Sequence, residues 1–221
     1  MTREAYHKAL KELENELLTM GDMVAKAMKD SIEALKTRDL EMSKKIIKDD
    51  IIINKKRFEI EERCLQMIAT QQPMAIDLRT IAAILSIITD LERIGDHAEG
   101  NAKINLLIGS EPLVKPLIDV PRMSEKGLSM IDRVLKAFIS RNAEEARAIC
   151  DEDDEVDALY DHIYRELILL MIENPKKIEG ATYLIWLAHN LERIADRVTN
   201  IAERVVFMVT GKMEEMNVSK Y

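Results

Sequence analysis

The same six-residue phrase occurs twice in this chain, one hundred residues apart: Leu91-Glu92-Arg93-Ile94-Gly95-Asp96 and Leu191-Glu192-Arg193-Ile194-Ala195-Asp196. A period of that size is too long for a solenoid unit and fits the duplication of a whole small domain. Within each copy Glu and Asp stand four residues apart, so on a helix their carboxylates share one face, a turn apart. Like charges so placed cost a helix roughly 0.2–0.5 kcal/mol. Neither Glu92 nor Glu192 has a Lys or Arg three or four residues away, whereas Arg93 and Arg193 serve only the Asp at i+3. Two carboxylates held together without a local counter-charge have the spacing of a cation site.

Composition sets the class. Apolar residues make up 47% of the 221, enough for a core, while seven Gly and five Pro are too few for a β-rich or disordered chain. The fold class expected is all-α. Pro112, Pro116 and Pro121 crowd one segment and exclude continuous helix there, because proline lacks an amide proton and restricts the residue before it. That segment, 111–121, is read as a linker between a first bundle over 1–110 and a second over 122–221. Each half carries one further proline ahead of its phrase, Pro73 and Pro175, each suited to a helix's first turn. Helices are expected at about 2–37, 40–71 and 74–109, then at 119–141, 143–173 and 176–211. Short connections force antiparallel neighbours, so the architecture is two antiparallel three-helix bundles in tandem.

Function classes narrow with charge and motif. A net charge of −8 argues against a reader of nucleic-acid phosphates. Cys64 and Cys150 lack a CxxC spacing and fit a reducing compartment rather than a disulfide framework. No apolar run reaches the roughly 18 residues that span a bilayer, and no signal-peptide pattern opens the chain, so no direct insertion is expected. There is no Gly-rich phosphate loop, and four histidines are too sparse for a supported catalytic set. The Glu-x-x-His pair of a di-iron enzyme occurs only at Glu4-Ala5-Tyr6-His7. Met20, Met23 and Met28 read as core filler, and Tyr183 and Trp186 as packing or interface residues.

On the last helix Leu187, Leu191, Ile194, Val198, Ile201 and Val205 form one stripe, with Glu192, Asp196, Asn200 and Glu203 nearly opposite. The carboxylates are therefore expected to face away from the core. A solvated acidic face is the ordinary explanation for such a pair. Against it, the pair recurs in register, and a second acidic set recurs on the preceding helix: Asp153, Asp157 and Asp161, with Asp50 and Asn54 as the reduced version. Antiparallel packing of helices two and three would line one groove with both sets, offering oxygen ligands to a hard cation.

The segments Thr89-Asp90-Leu91-Glu92-Arg93-Ile94-Gly95-Asp96-His97-Ala98 and Asn190-Leu191-Glu192-Arg193-Ile194-Ala195-Asp196-Arg197-Val198-Thr199-Asn200 resemble the two signature segments of the PhoU family. The resemblance extends over the whole chain. It implies surface metal clusters of iron or zinc, with manganese as the alternative, and a non-enzymatic accessory role in phosphate transport. Such proteins repress phosphate uptake and phosphate-starvation signalling by docking to the phosphate ABC transporter and a sensor histidine kinase. It further implies a cytoplasmic protein, a homodimer, peripherally associated with the inner face of the membrane through its partners. The residues that match the family's metal motifs are Glu92, Asp96 and Asp50 in the first half, and Glu192, Asp196, Asp153, Asp157 and Asn200 in the second. Asn54 replaces an acid, so the first site is expected to be the weaker. Gly100 replaces the equivalent of Asn200, with Asn101 displaced by about 100° around the helix. His189 lies one turn before Glu192, but its counterpart is Thr89; His97 is expected at the surface or between bundles. The alternatives are a metal-assisted phosphohydrolase and a metal-free helical scaffold.

Overall fold

A computed structural model describes residues 3–216, with seven α-helices and no strand among them: α1 Arg3–Thr37, α2 Leu40–Gln71, α3 Ile76–Ile108, α4 Asp119–Ser140, α5 Ala143–Asp151, α6 Asp153–Glu173 and α7 Ile178–Thr210. The fold is the expected all-α pair of duplicated bundles. The expected helix start at residue 2, and residues 1 and 217–221 of the expected domains, lie outside the described residues. Periodicity explains α1 directly: Leu10, Leu13, Leu17, Met20, Val24, Met28 and Leu35 recur at helical spacing and all are buried. The core they join runs through both halves, from Tyr6 to Met208. α3 packs on α1 and α2, α7 packs on α4, α5 and α6, and α3 and α7 lie against each other in the middle. α1 also meets α4, closely enough that a β-carbon at Gly21 would overlap the Leu135 side chain.

The duplication is visible in the first turn of each half. Arg38 and Arg141 both adopt left-handed backbone, with φ of 61° and 57°. Each is followed by the cap of the next helix: Asp39 Oδ1 accepts from Met42 N at 2.8 Å, and Asn142 Oδ1 from Glu145 N at 3.0 Å. Both arginines also turn their guanidinium back onto the fold, Arg38 to Asn105 Oδ1 at 3.0 Å and to the Gly109 carbonyl, Arg141 to Glu14 and to the Phe138 carbonyl.

Two expectations need correction. The helix expected over 143–173 is two helices, broken at Glu152, where the Glu152 amide bonds back to Ile149 O at 3.2 Å and α6 starts afresh at Asp153. The break carries no Pro or Gly. Its clamp is tertiary: Arg133 on α4 reaches Glu145 on one side at 2.7 Å and Glu152 at 2.5 Å. Pro73 is not in the first turn of α3, which begins at Ile76; a left-handed Gln72 and a positive φ at Ala75 make the bend. Pro175 does open its helix, through a 3-10 turn Pro175–Lys177 capped by Asn174.

Asn105 holds the first hairpin to the end of α3. Fully buried, it donates to Ala34 O at 3.0 Å and Ser43 Oγ at 2.9 Å, and accepts from Arg38. Truncation takes one hydrogen-bond partner from each of those groups, although Ala34 O keeps Asp39 N, Ser43 Oγ keeps Asp39 O and Arg38 keeps the Gly109 carbonyl. Asn105→Ala should lower the unfolding free energy by about 2 kcal/mol, read as a shifted urea midpoint at unchanged slope.

Candidate metal-binding grooves

The duplicated phrases lie in mid-helix on α3 and α7, and each faces the acidic set of its neighbour, α2 or α6. Leu91, Ile94, Leu191 and Ile194 are buried, fixing the rotation of both helices. The carboxylates are less exposed than their opposition to that stripe suggested: the side chains of Glu92 and Glu192 are each 19% exposed, and Asp153 is 1% exposed. The expectation that they face away from the core is corrected accordingly. α2 and α6 lie close enough to α3 and α7 to wall in one side of each stripe.

In the first groove Asn54 Nδ2 donates to Asp50 Oδ2 at 2.8 Å. That bond leaves Asn54 Oδ1 and Asp50 Oδ1 both buried and unengaged, two oxygens aligned on one face of α2. Burial pushes the Asp50 carboxyl up, and the Glu99, Asp96 and Glu92 charges of α3 push it further, against the opposing Asn54 hydrogen bond. Glu99 thus belongs to this groove, and sequence reasoning missed it. Its i+3 spacing from Asp96 was the available signal. Arg93 reaches Asp96 at 3.0 Å as expected, and its Nε also comes within 3.6 Å of Glu92, which had been assigned no neighbour.

The second groove is more strongly frustrated. Burial raises Glu192 to about 7, with Asp196, Asp157 and Asp153 adding repulsion and Arg193 opposing it. Asp157 is raised by burial, then by Asp196, Asp154 and Asp161. Glu192 Oε2 is buried without a hydrogen bond, although His189 Nδ1 lies 3.3 Å from it, and His189 packs near the Tyr160 ring. Asp153 and Asp157 stand in the first two turns of α6, on the side where the helix dipole favours negative charge. Arg193 pairs with Asp196 at 2.6 Å, and Asp161 with Arg165 at 3.1 Å out in solvent.

Asn200 is drawn elsewhere. Its amide donates to Asp90 Oδ1 on α3 at 3.3 Å, beside an Arg197–Asp90 ion pair, which makes it part of the seam between the two central helices. His97 occupies the same seam, bonded to Asn190, which donates onward to buried Asn101.

Donor chemistry decides what these grooves suit. The ligands are carboxylate and amide oxygens, with one imidazole at the edge of the second groove, a set for hard cations. The orphaned oxygens of Asp50, Asn54 and Glu192 and the mutual repulsion of their neighbours are what a bound cation relieves. The carboxylates stand apart rather than closed into a single-ion cage. Among the described residues only Asp119, His162 and Glu166 place three ligand atoms within 4.8 Å of one another, and Arg122 and Lys115 already neutralise that cluster. His162 and Glu166 are one turn apart on α6, but no sequence signal brings Asp119 to them.

Comparisons with known proteins agree over the full chain. Residues 17–104 and 120–205 each match the PhoU domain. A phosphate-specific transport system accessory protein PhoU homolog of Clostridium acetobutylicum is 40% identical over 98% of this chain and all of its own length. A relative of the same description from Rhizobium meliloti is 36% identical, over 94% of this chain and 88% of its own. The crystal structure of the phosphate transport system regulatory protein PhoU from Streptococcus pneumoniae superposes with a TM-score of 0.90 at 33% identity, covering 95% of this chain and 99% of the other. PhoU from Pseudomonas aeruginosa gives 0.89 at 33%, covering 94% and 100%.

The raised carboxyl of Glu192 fixes a pH dependence. Its unfolded form ionises near 4.5 and its folded form near 7, so stability is highest below pH 4.5 as far as this group goes, and falls as pH rises through 7. In metal-free protein Glu192→Gln should gain about 1 kcal/mol at pH 8, after discounting for solvent at the groove mouth, and about a quarter of that at pH 5. Thermal melts of both proteins at the two pH values read this out.

Proposed function

This chain belongs to the PhoU family, and from that premise we propose that it is a metal-binding, non-enzymatic regulator of phosphate transport. The observation that carries the metal part is the pair of duplicated grooves in which buried oxygens of Asp50, Asn54 and Glu192 are left without hydrogen bonds. Glu92, Asp96, Asp50 and Asn54 would hold metal in the first groove; Glu192, Asp196, Asp153 and Asp157 in the second. Iron or zinc is the proposed metal, as the family resemblance implies, with manganese, which carboxylate oxygens suit, as the alternative. Bound cations would cancel the repulsion within each groove and turn an acidic hollow into a neutral, rigid surface for a partner.

The regulatory part is supported by the descriptions of the relatives, accessory proteins of a phosphate-specific transport system. In this reading the protein docks to the phosphate ABC transporter and a sensor histidine kinase, holds the kinase in its repressing state while phosphate is plentiful, and restrains uptake. Among the described residues no helix is long and apolar enough to cross a membrane, which is consistent with a cytoplasmic protein recruited to the inner face of the membrane by these partners.

Two experiments test the reading. Elemental analysis of purified protein should find iron, manganese or zinc, and Glu192→Ala combined with Asp196→Ala should remove the second-groove metal while circular dichroism stays nearly unchanged. Titration should show the second groove binding at least tenfold more tightly, because Asp157 supplies a charge where Asn54 supplies none; unchanged metal content in the double variant discards the site. Separately, a deletion strain should express a starvation-response reporter in phosphate-rich medium, and the transporter and kinase should co-purify with the wild-type protein. Normal repression without the gene refutes the regulatory role.

A further inference from the structure

The core of the first bundle has a gap. Ile46, Ala34 and Ala102 are buried together but apart from the continuous core that holds Ile53 and Met28. A cavity of about 360 Å³, walled by α1, α2 and α3, is lined by residues of both clusters; sites for small molecules usually span roughly 300–1,000 Å³. Its apolar lining includes Ala27, Met42, Ile46, Ile53 and Gly95. Its charged lining sets the carboxylates of Asp30, Asp49, Asp50 and Glu99 against the ammonium groups of Lys26 and Lys45. Lys26 pairs with Asp30, and Lys103 from outside the cavity with Glu99. Asp49 forms no ion pair with the described residues, Lys45 one turn away included, and Asp50 Oδ1 is buried without a hydrogen bond.

The second bundle shows what fills this space. The turns at Arg38 and Arg141 align the halves and carry Met20 onto Met123 and Ala34 onto Ala137. In the same register Ala27 becomes Met130, Asp30 becomes Arg133 and Asp49 becomes Glu152. Met130 and Ile149, the counterpart of Ile46, are fully buried in the continuous core. Arg133 reaches Glu152 at 2.5 Å and Glu145 at 2.7 Å. The duplicate thus closes the gap from within, by a long apolar chain and by a guanidinium held on the acid that replaces Asp49. The first bundle keeps the acid and has neither filler.

An aliphatic stem on Ala27 would recover the dispersion contacts that the small side chain forgoes. A guanidinium is weakly hydrated and matches carboxylate oxygens with two parallel donors. A carboxylate on the same molecule would be repelled by the acidic lining. We infer that this cavity binds a small aliphatic guanidinium amine, its stem against Ala27 and Ile46 and its cation at Asp49. Ala27 and Asp49 lie outside the duplicated carboxylate phrases, so the inference does not rest on bound metal.

The test is calorimetric titration of the full chain with agmatine, with a chelator present and at about 0.15 M salt to screen loose pairing with an acidic protein. One saturable site should appear, with a Kd of about 1 mM or tighter. Arginine, which adds a carboxylate, and the guanidinium ion, which has no stem, should each bind at least tenfold more weakly. Asp49→Asn should weaken agmatine at least tenfold. Ala27→Met, which fills the space as Met130 does and leaves every charge in place, should abolish the site. Asp30→Arg, which supplies an internal guanidinium, should abolish it too and decides the matter if thermal melts show that Ala27→Met is overpacked. No saturable site in the wild type, equal binding of arginine, or agmatine binding undiminished in Asp30→Arg or in folded Ala27→Met would each overturn the inference.

Discussion

The contact between α3 and α7 is the constraint on which the rest of this structure depends. Both helices are buried on most of their circumference, so each must meet apolar or satisfied polar surface nearly all the way round. They do so by lying against each other and taking the remaining helices of their own halves on their outer sides. Their shared seam is not purely apolar: Asn190 bridges His97 and Asn101, and Asp90 receives Asn200 and Arg197. Such a seam fixes rotation and register, since a slip of one residue would strand several buried polar groups at once. Burial pushes Asp90 up and His97 down, and their hydrogen bonds oppose both shifts. With the two helices locked in this way, the Glu–Asp pair of each has one remaining direction, toward α2 on one side and α6 on the other.

That geometry explains why part of the molecule was legible in the sequence. Helices with one apolar stripe announce themselves by period, and α1, α2 and α4 fall close to where the pattern put them. The break at Glu152 was not legible, because no residue there is a helix breaker; it is held by Arg133 from a different helix. The repeated left-handed turns at Arg38 and Arg141 were legible in principle, as an Arg followed by Asp or Asn at equivalent places. At the grooves, the spacing of Glu92 with Asp96 and Glu192 with Asp196 was readable. The depth of their burial was not, because it depends on how closely α2 and α6 approach. Asn200 shows the same limit: its helical phase matched the acidic stripe, yet a buried acid on α3 lies within its reach.

The two grooves have diverged electrostatically while keeping one frame. In the first, an amide at Asn54 satisfies half of Asp50 and removes a charge. In the second, an acid at Asp157 and the buried Asp153 keep the full complement, and Glu192 carries the strain as a carboxyl raised to about 7. A group so raised is a local store of unfavourable free energy in the ionised protein, and any cation that binds there returns it. Cation binding, as proposed, would therefore be linked to stability more strongly in the second half than in the first. The start of α6 is part of that difference: the break at Glu152 gives Asp153 and Asp157 the amide-rich end of a helix, which Asp50 and Asn54, in the middle of α2, lack.

α2 compensates in another way. Because successive residues step about 100° around a helix, one run of its sequence divides among three faces: Ile53 and Ile60 toward the core, Asp50 and Asn54 toward the groove, and Ile51, Phe58 and Leu65 toward solvent. The matching positions of its duplicate carry Asp154, Ala158, Asp161 and Arg165, with Leu169 and Ile172 exposed further along α6. The halves, alike in frame, thus differ both in the charge of the groove and in the side chains that their second long helix turns outward.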